Sequence, residues 1–189
     1  MLELSEYLDK LEGLKGVDLL PYAKTHNIST EKNNGWFGNT LERCLGIANN
    51  TNSTPDLGDY ELKTVSLHYN AKGNLSVRED LAITQIKPNL PDFEESCVFK
   101  KVSRIVVVTR IKSVVHDVFL IELEAFTELF EKIALDYLLI KSIIEDKSYV
   151  ALSGSIGQVM HSKRKTYGKS EYNRAFCIRP KYVRQLLGL

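Results

Sequence analysis

Residues 59–67 constrain this chain more than any other stretch, because they read as a β-strand carrying Glu61-Leu62-Lys63. A strand sends successive side chains to opposite faces, so Glu61 and Lys63 share one face and Leu62 takes the other. Leu62 therefore needs a core beneath it. The opposite face must accept a carboxylate and an amine side by side. Pro55-Asp56 lies on the approach to the strand, and from there Asp56 can converge on Glu61. Two carboxylates from a turn and a strand make a hard oxygen site suited to Mg²⁺, which keeps several waters and takes few protein ligands. A nearby Lys can orient or deprotonate a water in such a site and offset charge on a phosphate. That is equipment for cutting a phosphodiester. A Glu-x-Lys on an exposed strand otherwise only faces solvent, so the surroundings must decide.

Around this strand the chain reads as an α/β fold, a mixed central sheet flanked by helices. Residues 2–12 read as an amphipathic helix through Leu2, Leu4, Leu8 and Leu11, and residues 18–26 as a second. Residues 36–45 read as a third. Its apolar face holds Trp36 or Phe37, Leu41, and Cys44 or Leu45, and Gly46 is a suitable stop. Glu42 can lie on another face of it. Loop 49–54 is polar. Further strands are expected near 79–86, 104–111 and 115–122, with a turn at 70–74 and short strands at 149–153 and 173–179. The longest helix spans 124–145, with Phe126, Leu129, Phe130, Ile133, Tyr137, Ile140 and Ile144 along one side. Leu138, Leu139 and Ile143 fall off that stripe, which suggests burial on more than one face. Pro180 suits the first turn of a terminal helix.

With 189 residues, 43% of them hydrophobic, the chain can bury a sizeable core. Its three cysteines (Cys44, Cys97 and Cys177) are odd in number and widely spaced, with no zinc-ligand pattern and no disulfide framework. A reduced, cytoplasmic setting fits. No apolar run reaches membrane-spanning length, and Met1-Leu2-Glu3-Leu4 does not open a signal peptide. The formal net charge of +1 makes no bulk case for nucleic acid. The distribution does. From His161 to Arg184 there are eight basic residues against one acid, Glu171. Lys163, Arg164, Lys165, Lys169, Arg174, Arg179 and Lys181 fall in this stripe, interleaved with Tyr167, Tyr172 and Phe176. Such a stripe neutralises phosphates and gains from counterion release. His161, at its start, can bond a guanine edge or a phosphate.

Gly35-Trp36-Phe37-Gly38-Asn39-Thr40-Leu41-Glu42, a polar loop, and then Pro55-Asp56 followed by Glu61-Leu62-Lys63-Thr64 resemble the PD-(D/E)xK nucleases. The chain is similar in particular to the branch that holds the MutH mismatch-repair nicking endonucleases and the MvaI and BcnI restriction endonucleases. Two further stretches carry the likeness. Ile178-Arg179-Pro180-Lys181 is similar to a MutH segment, and 156–163 with Gly168-Lys169 and Ala175-Phe176 resembles the DNA-reading arm of the MvaI type. The patches lie between about residues 28 and 185. The resemblance implies a catalytic set of Glu42, Asp56, Glu61 and Lys63, with Lys101, just before the 104–111 strand, as a further member. It implies Mg²⁺ held by Asp56 and Glu61. It implies double-stranded DNA as partner, contacted by His161, Lys163, Arg164, Lys165, Lys169, Arg174, Arg179 and Lys181 on a basic C-terminal arm.

The organisation expected is one endonuclease domain over residues 1–189, with a catalytic lobe at about 28–125 and a DNA-recognition lobe at about 145–189. No membrane partner is expected. The oligomeric state is open, and a monomer is compatible. The short gap from Asp56 to Glu61 and the 161–175 arm favour a type II restriction activity. Ile178-Arg179-Pro180-Lys181 keeps MutH-like nicking as the alternative. A silent DNA-binding domain of a larger nuclease is a third reading, against which the intact Asp56, Glu61 and Lys63 argue.

Overall fold

The computed structural model describes residues 3–31, 35–47, 54–147, 149–165 and 173–189. Within them the chain forms two compact units, each assembled from separate stretches: residues 1–78 with 105–121, and residues 79–104 with 122–189.

The first unit holds helices α1 (Leu4–Glu12), α2 (Leu20–Thr25) and α3 (Trp36–Leu45) and strands β1 (Glu61–Tyr69), β2 (Leu75–Val77), β4 (Arg104–Ile111) and β5 (Val114–Glu122), with Arg104 and Glu122 falling to the second unit. The strands form one mixed sheet in the order β2-β1-β4-β5. β1 runs parallel to β4, with Leu62 opposite Val106 and Thr64 opposite Val108, and antiparallel to β2. Paired residues in a ladder project to the same side, so Leu62, Val106 and Val108 make one apolar face. That face packs with Phe37, Leu41 and Leu45 of α3 and Tyr7 and Leu11 of α1. The helix face left open by the sequence is settled here. Phe37 and Leu45 are buried, whereas Trp36 and Cys44 are only partly so. Trp36 meets Phe37 edge to face at 5.5 Å between centroids. Gly46 ends α3 with φ 74°, a left-handed conformation that glycine adopts without a Cβ clash.

The second unit holds strand β3 (Leu81–Gln85), helices α4 (Cys97–Val102), α5 (Thr127–Lys147) and α6 (Pro180–Leu186), and strands β6 (Met160–Arg164) and β7 (Arg174–Ile178). Its sheet has the order β3-β7-β6, antiparallel throughout. Tyr137 of α5 stacks on Phe176 of β7 at 5.4 Å, and its hydroxyl donates to the Pro91 carbonyl at 2.9 Å. Phe93, Phe99 and Phe130 extend the same aromatic cluster.

Several expectations need correction. Residues 149–151 form a 3-10 turn rather than a strand. Residues 160–164, read only as a basic arm, pair as β6, because Met160, His161 and Ser162 are buried beside β7. α4 and the short β2 were not foreseen. The off-stripe leucines of α5 are not buried: Leu138 is 47% and Leu139 46% exposed. Asp136 takes an inward place on that helix, between Ile133 and Ile140. Expectations for loop 49–54 fall largely on residues outside the described ones, as does Lys169.

Candidate functional site

The carboxylate site is built by the turn before β1. Leu57 and Tyr60 bridge each other, Leu57 N–H donating to Tyr60 O at 2.8 Å, and Gly58 closes the turn at φ 71°. Leu57 is 3% exposed and anchors the turn in the core. The chain thereby doubles back, and the Asp56 carboxylate accepts the Leu62 N–H at 3.3 Å. This bond fixes Asp56 against the first residues of the strand.

On β1, Glu61 is 1% exposed and Lys63 donates its ammonium to the Glu61 carboxylate. The two side chains share a face, as alternation requires, while Leu62 enters the core. A buried ion pair gains little net stability after desolvation. Its presence at the head of β1 is better accounted for by chemistry than by folding.

Glu42, half-buried on α3, joins these groups electrostatically. Burial pushes its carboxyl above the ordinary range, the like charges of Asp56 and Glu61 push the same way, and Lys63 opposes them. Glu42, Asp56, Glu61 and Lys63 therefore interact, and Arg43 acts on Glu42 in the same sense as Lys63. The surplus negative charge suits a divalent cation. Among the described residues no group of three or more acidic, His or Cys side chains is close enough to form a ligand cage. Lys101 lies in α4 of the second unit, 9% exposed, with partners of its own.

Of the basic residues expected to meet DNA, Lys163 and Arg164 lie on β6 and Arg174 on β7, strands whose register pairs His161 with Cys177 and Arg164 with Arg174. Much of their hydrogen-bonding capacity is engaged. Asp80, just before β3, meets His161 Nε2 at 3.1 Å with one oxygen and accepts from Lys163 Nζ at 2.6 Å with the other. Burial acts to raise the Asp80 carboxyl, but the Lys163 and His161 hydrogen bonds outweigh it and hold the group below its ordinary value. Cys177, beneath this cluster, is pushed up to about 11 by burial and the Asp80 charge, so it is a thiol in the core. Arg174 Nη1 approaches Ser162 Oγ at 3.4 Å. Arg179 donates through Nη2 to the carbonyls of Gly154 at 2.7 Å and Gly157 at 2.9 Å. Lys181 Nζ stands 5.1 Å from the Tyr182 ring centroid. Arg164 and Lys165 are exposed.

Sequence reasoning overlooked Asp80 and Asp136. The second left a signal: an acid at i+3 from Ile133 and i−4 from Ile140 sits on the helix's apolar face, where only a satisfied carboxylate belongs. Asp136 accepts the N–H groups of Gln158, Val159 and Met160 at 2.7, 2.7 and 2.8 Å.

Among the described residues no helix is long and apolar enough to cross a membrane. No curated protein sequence matches the chain. Among solved structures it is similar to a restriction endonuclease MvaI–cognate DNA substrate complex, at 14% identity over 97% of each chain with a TM-score of 0.42. Residues 18–95 match the model of the MvaI/BcnI restriction endonuclease family. That span contains Glu42, Asp56, Glu61 and Lys63, the four groups that the turn, α3 and β1 bring into one cluster. Over residues 18–95 the chain is similar to the MvaI/BcnI restriction endonuclease family.

Proposed function

We propose that the chain is a sequence-specific endonuclease of the type II restriction kind, acting on double-stranded DNA with Mg²⁺ in a cytoplasmic setting. The observation that carries this reading is the Glu42–Asp56–Glu61–Lys63 cluster lying inside the segment that matches the family.

Asp56 and Glu61 would hold the cation, which supplies Lewis acidity at the scissile phosphate and a water of lowered pKa. Asp56 enters this role already oriented by the Leu62 N–H. Lys63 exchanges its Glu61 carboxylate for the substrate: its ammonium orients the attacking water and offsets charge gathering on the phosphate oxygens. Glu42, whose carboxyl burial and then the Asp56 charge push above its ordinary range, is the group in the cluster best suited to shuttle a proton or support a second ion. Lys101 is proposed as a further catalytic side chain. Residues about 28–125 serve as the catalytic lobe and about 145–189 as the recognition lobe.

His161, Lys163, Arg164, Lys165, Lys169, Arg174, Arg179 and Lys181 make up the proposed DNA contact set. Arg164 and Lys165, both exposed, would meet phosphates. His161 and Lys163 would trade Asp80 for DNA or act from within that triad. The test is incubation of plasmid with Mg²⁺ and, in parallel, with EDTA. Cutting in both strands at a fixed sequence, only with the metal, supports the reading. Nicking alone would favour the MutH-like alternative, for which Ile178-Arg179-Pro180-Lys181 speaks. Binding without cutting in either condition would leave a silent DNA-binding domain.

A further inference from the structure

Helix α5 is apolar on two sides, and the described chain covers one of them. The inner side carries Ile133, Tyr137 and Ile140, all 0% exposed, with Tyr137 stacked on Phe176. Helical spacing puts Leu135, Leu138 and Leu139 together on the opposite side. They are 65%, 47% and 46% exposed. A single exposed leucine is ordinary, but three neighbours at i, i+3 and i+4 make a patch. Ser142 comes next along the same side. Its hydroxyl donates to the Leu139 carbonyl at 3.0 Å, so it is satisfied within the helix and leaves the patch apolar.

The two ends of the patch carry charge of one sign. Glu131 lies a turn before Leu135, and Glu145 and Asp146 lie two turns after Leu138 and Leu139; all three acids are exposed. The lysines beside them are engaged elsewhere: Lys132 donates to Glu128 at 2.5 Å and Lys141 to Asp92 at 2.8 Å. This pattern decides between occupants. Two copies of α5 packed antiparallel through Leu138 and Leu139 would bring Glu131, seven residues before Leu138, against Asp146, seven after Leu139. Packed in parallel, each acid would meet its own copy. Like charges at a contact disfavour both arrangements. A nucleic acid or an anionic membrane surface meets the same repulsion. A helix with an apolar centre and basic ends meets none.

We propose that the outer side of α5 is a docking surface for a helical segment of a partner protein, one with leucine-like residues on one face and lysine or arginine at either end. Leu135, Leu138 and Leu139 supply the burial, as apolar anchors at helical spacing do in other helix contacts. Glu131, Glu145 and Asp146 select the partner by charge and set its placement along the helix. None of these six residues belongs to the acidic cluster or to the proposed DNA contact set, so the inference goes beyond the nuclease reading and does not rest on it.

The experiment titrates the full chain into three labelled synthetic helical peptides and reads fluorescence anisotropy. The first has leucines along one face and lysines at both ends, the second the same leucines with glutamates at the ends, and the third the lysines with serines in place of the leucines. The first should bind about tenfold or more tightly than either of the others. Leu135→Ser with Leu138→Ser should remove that preference. Glu131→Lys with Asp146→Lys should reverse it towards the glutamate-ended peptide, a gain that a misfolded chain would not produce. All four substitutions are on the surface, so the melting temperature and the rate of plasmid cleavage should not move. Equal binding of the three peptides, or a preference that survives the double leucine variant, overturns the inference. So does dimerisation in sedimentation that is lost with Leu138→Ser, which would give the face to a second copy. Binding to phosphatidylserine vesicles that is lost in the double leucine variant would give it to lipid and overturn the inference likewise.

Discussion

The two units handle charge in contrasting ways. In the first, acidic groups are crowded together: Glu42 lies near Asp56 and Glu61, and burial and then the Asp56 charge push its carboxyl up against the opposing pull of Lys63 and Arg43. In the second, several charged groups are closely matched. Asp80 divides itself between His161 and Lys163, Asp136 is surrounded by N–H groups, and Arg179 by carbonyls. Uncompensated charge in a partly buried site marks chemistry. Compensated charge marks architecture, even where the residues are cationic and the expected partner is a polyanion. Counting lysines and arginines along a sequence does not separate these two uses.

The largest expected effect tests the uncompensated side. Asp56→Ala or Glu61→Ala should slow cleavage by about a thousandfold or more, since a lost metal ligand removes several kcal/mol of transition-state stabilisation. Duplex binding in Ca²⁺ should survive. Lys63→Ala should behave alike without much loss of metal affinity. Single-turnover cleavage beside a gel-shift titration decides the point, and cutting that persists in both acid variants would move the active site elsewhere.

Next in size is the matched side. Asp136→Ala orphans three N–H groups, two of them belonging to fully buried residues, Val159 and Met160. It should cost about 3 kcal/mol of stability, read from the urea midpoint. A shift within error would mean that the loop finds other acceptors and that the carboxylate is dispensable.

Smaller still is the effect of single cations. Neutralising Arg164 or Lys165, the exposed members of the hairpin, should weaken cognate and scrambled duplexes equally and make the salt slope shallower by about one. A change confined to the cognate duplex would place these residues among the base readers instead.

The smallest effects are in pH dependence, and their signs are opposite in the two units. The Asp80 carboxyl is depressed in the folded chain below its ordinary 3.8, so its contribution is present above that value and lost as pH falls through the folded one. Asp80→Asn should therefore lower the melting temperature at pH 6 and have little effect in strong acid. The Glu42 carboxyl is raised above its ordinary 4.5, so the folded state loses stability as pH rises through the folded value. Glu42→Gln should raise the melting temperature slightly at pH 7 and not at pH 4. Melting curves at both pH values for both variants check the signs, and equal signs would dissolve the contrast between the units.

How much of this was legible in the sequence follows from the range of the interactions. Strand alternation and turn chemistry act over a few residues, so Glu61 and Lys63 on one face, Leu62 in the core and Gly46 at a helix end could all be read locally. Asp80 with His161, and Asp136 with Gln158, are joined only by tertiary pairing, and while the helical spacing of Asp136 signals its burial, no local pattern announces either partner. The 160–164 strand was hidden because its basic residues suggested a solvated arm, whereas its first three positions are buried by β7. Leu138 and Leu139 misled in the other direction: apolar residues on a helix need not be covered.

The order in which the chain visits its two units has a consequence for how the protein is made. The polypeptide leaves the first unit after Arg78, builds part of the second, and returns at Ile105. β1 emerges from the ribosome early, yet its parallel partner β4 follows only after the whole 79–104 excursion. Until then the strand bearing Glu61 and Lys63 lacks the neighbour that fixes its pleat, and Leu62 lacks Val106 and Val108 beside it. A nascent chain halted before residue 105 should carry every member of the acidic cluster and have no assembled centre. Competence to cut would then arrive late in synthesis, when β4 and β5 complete the sheet.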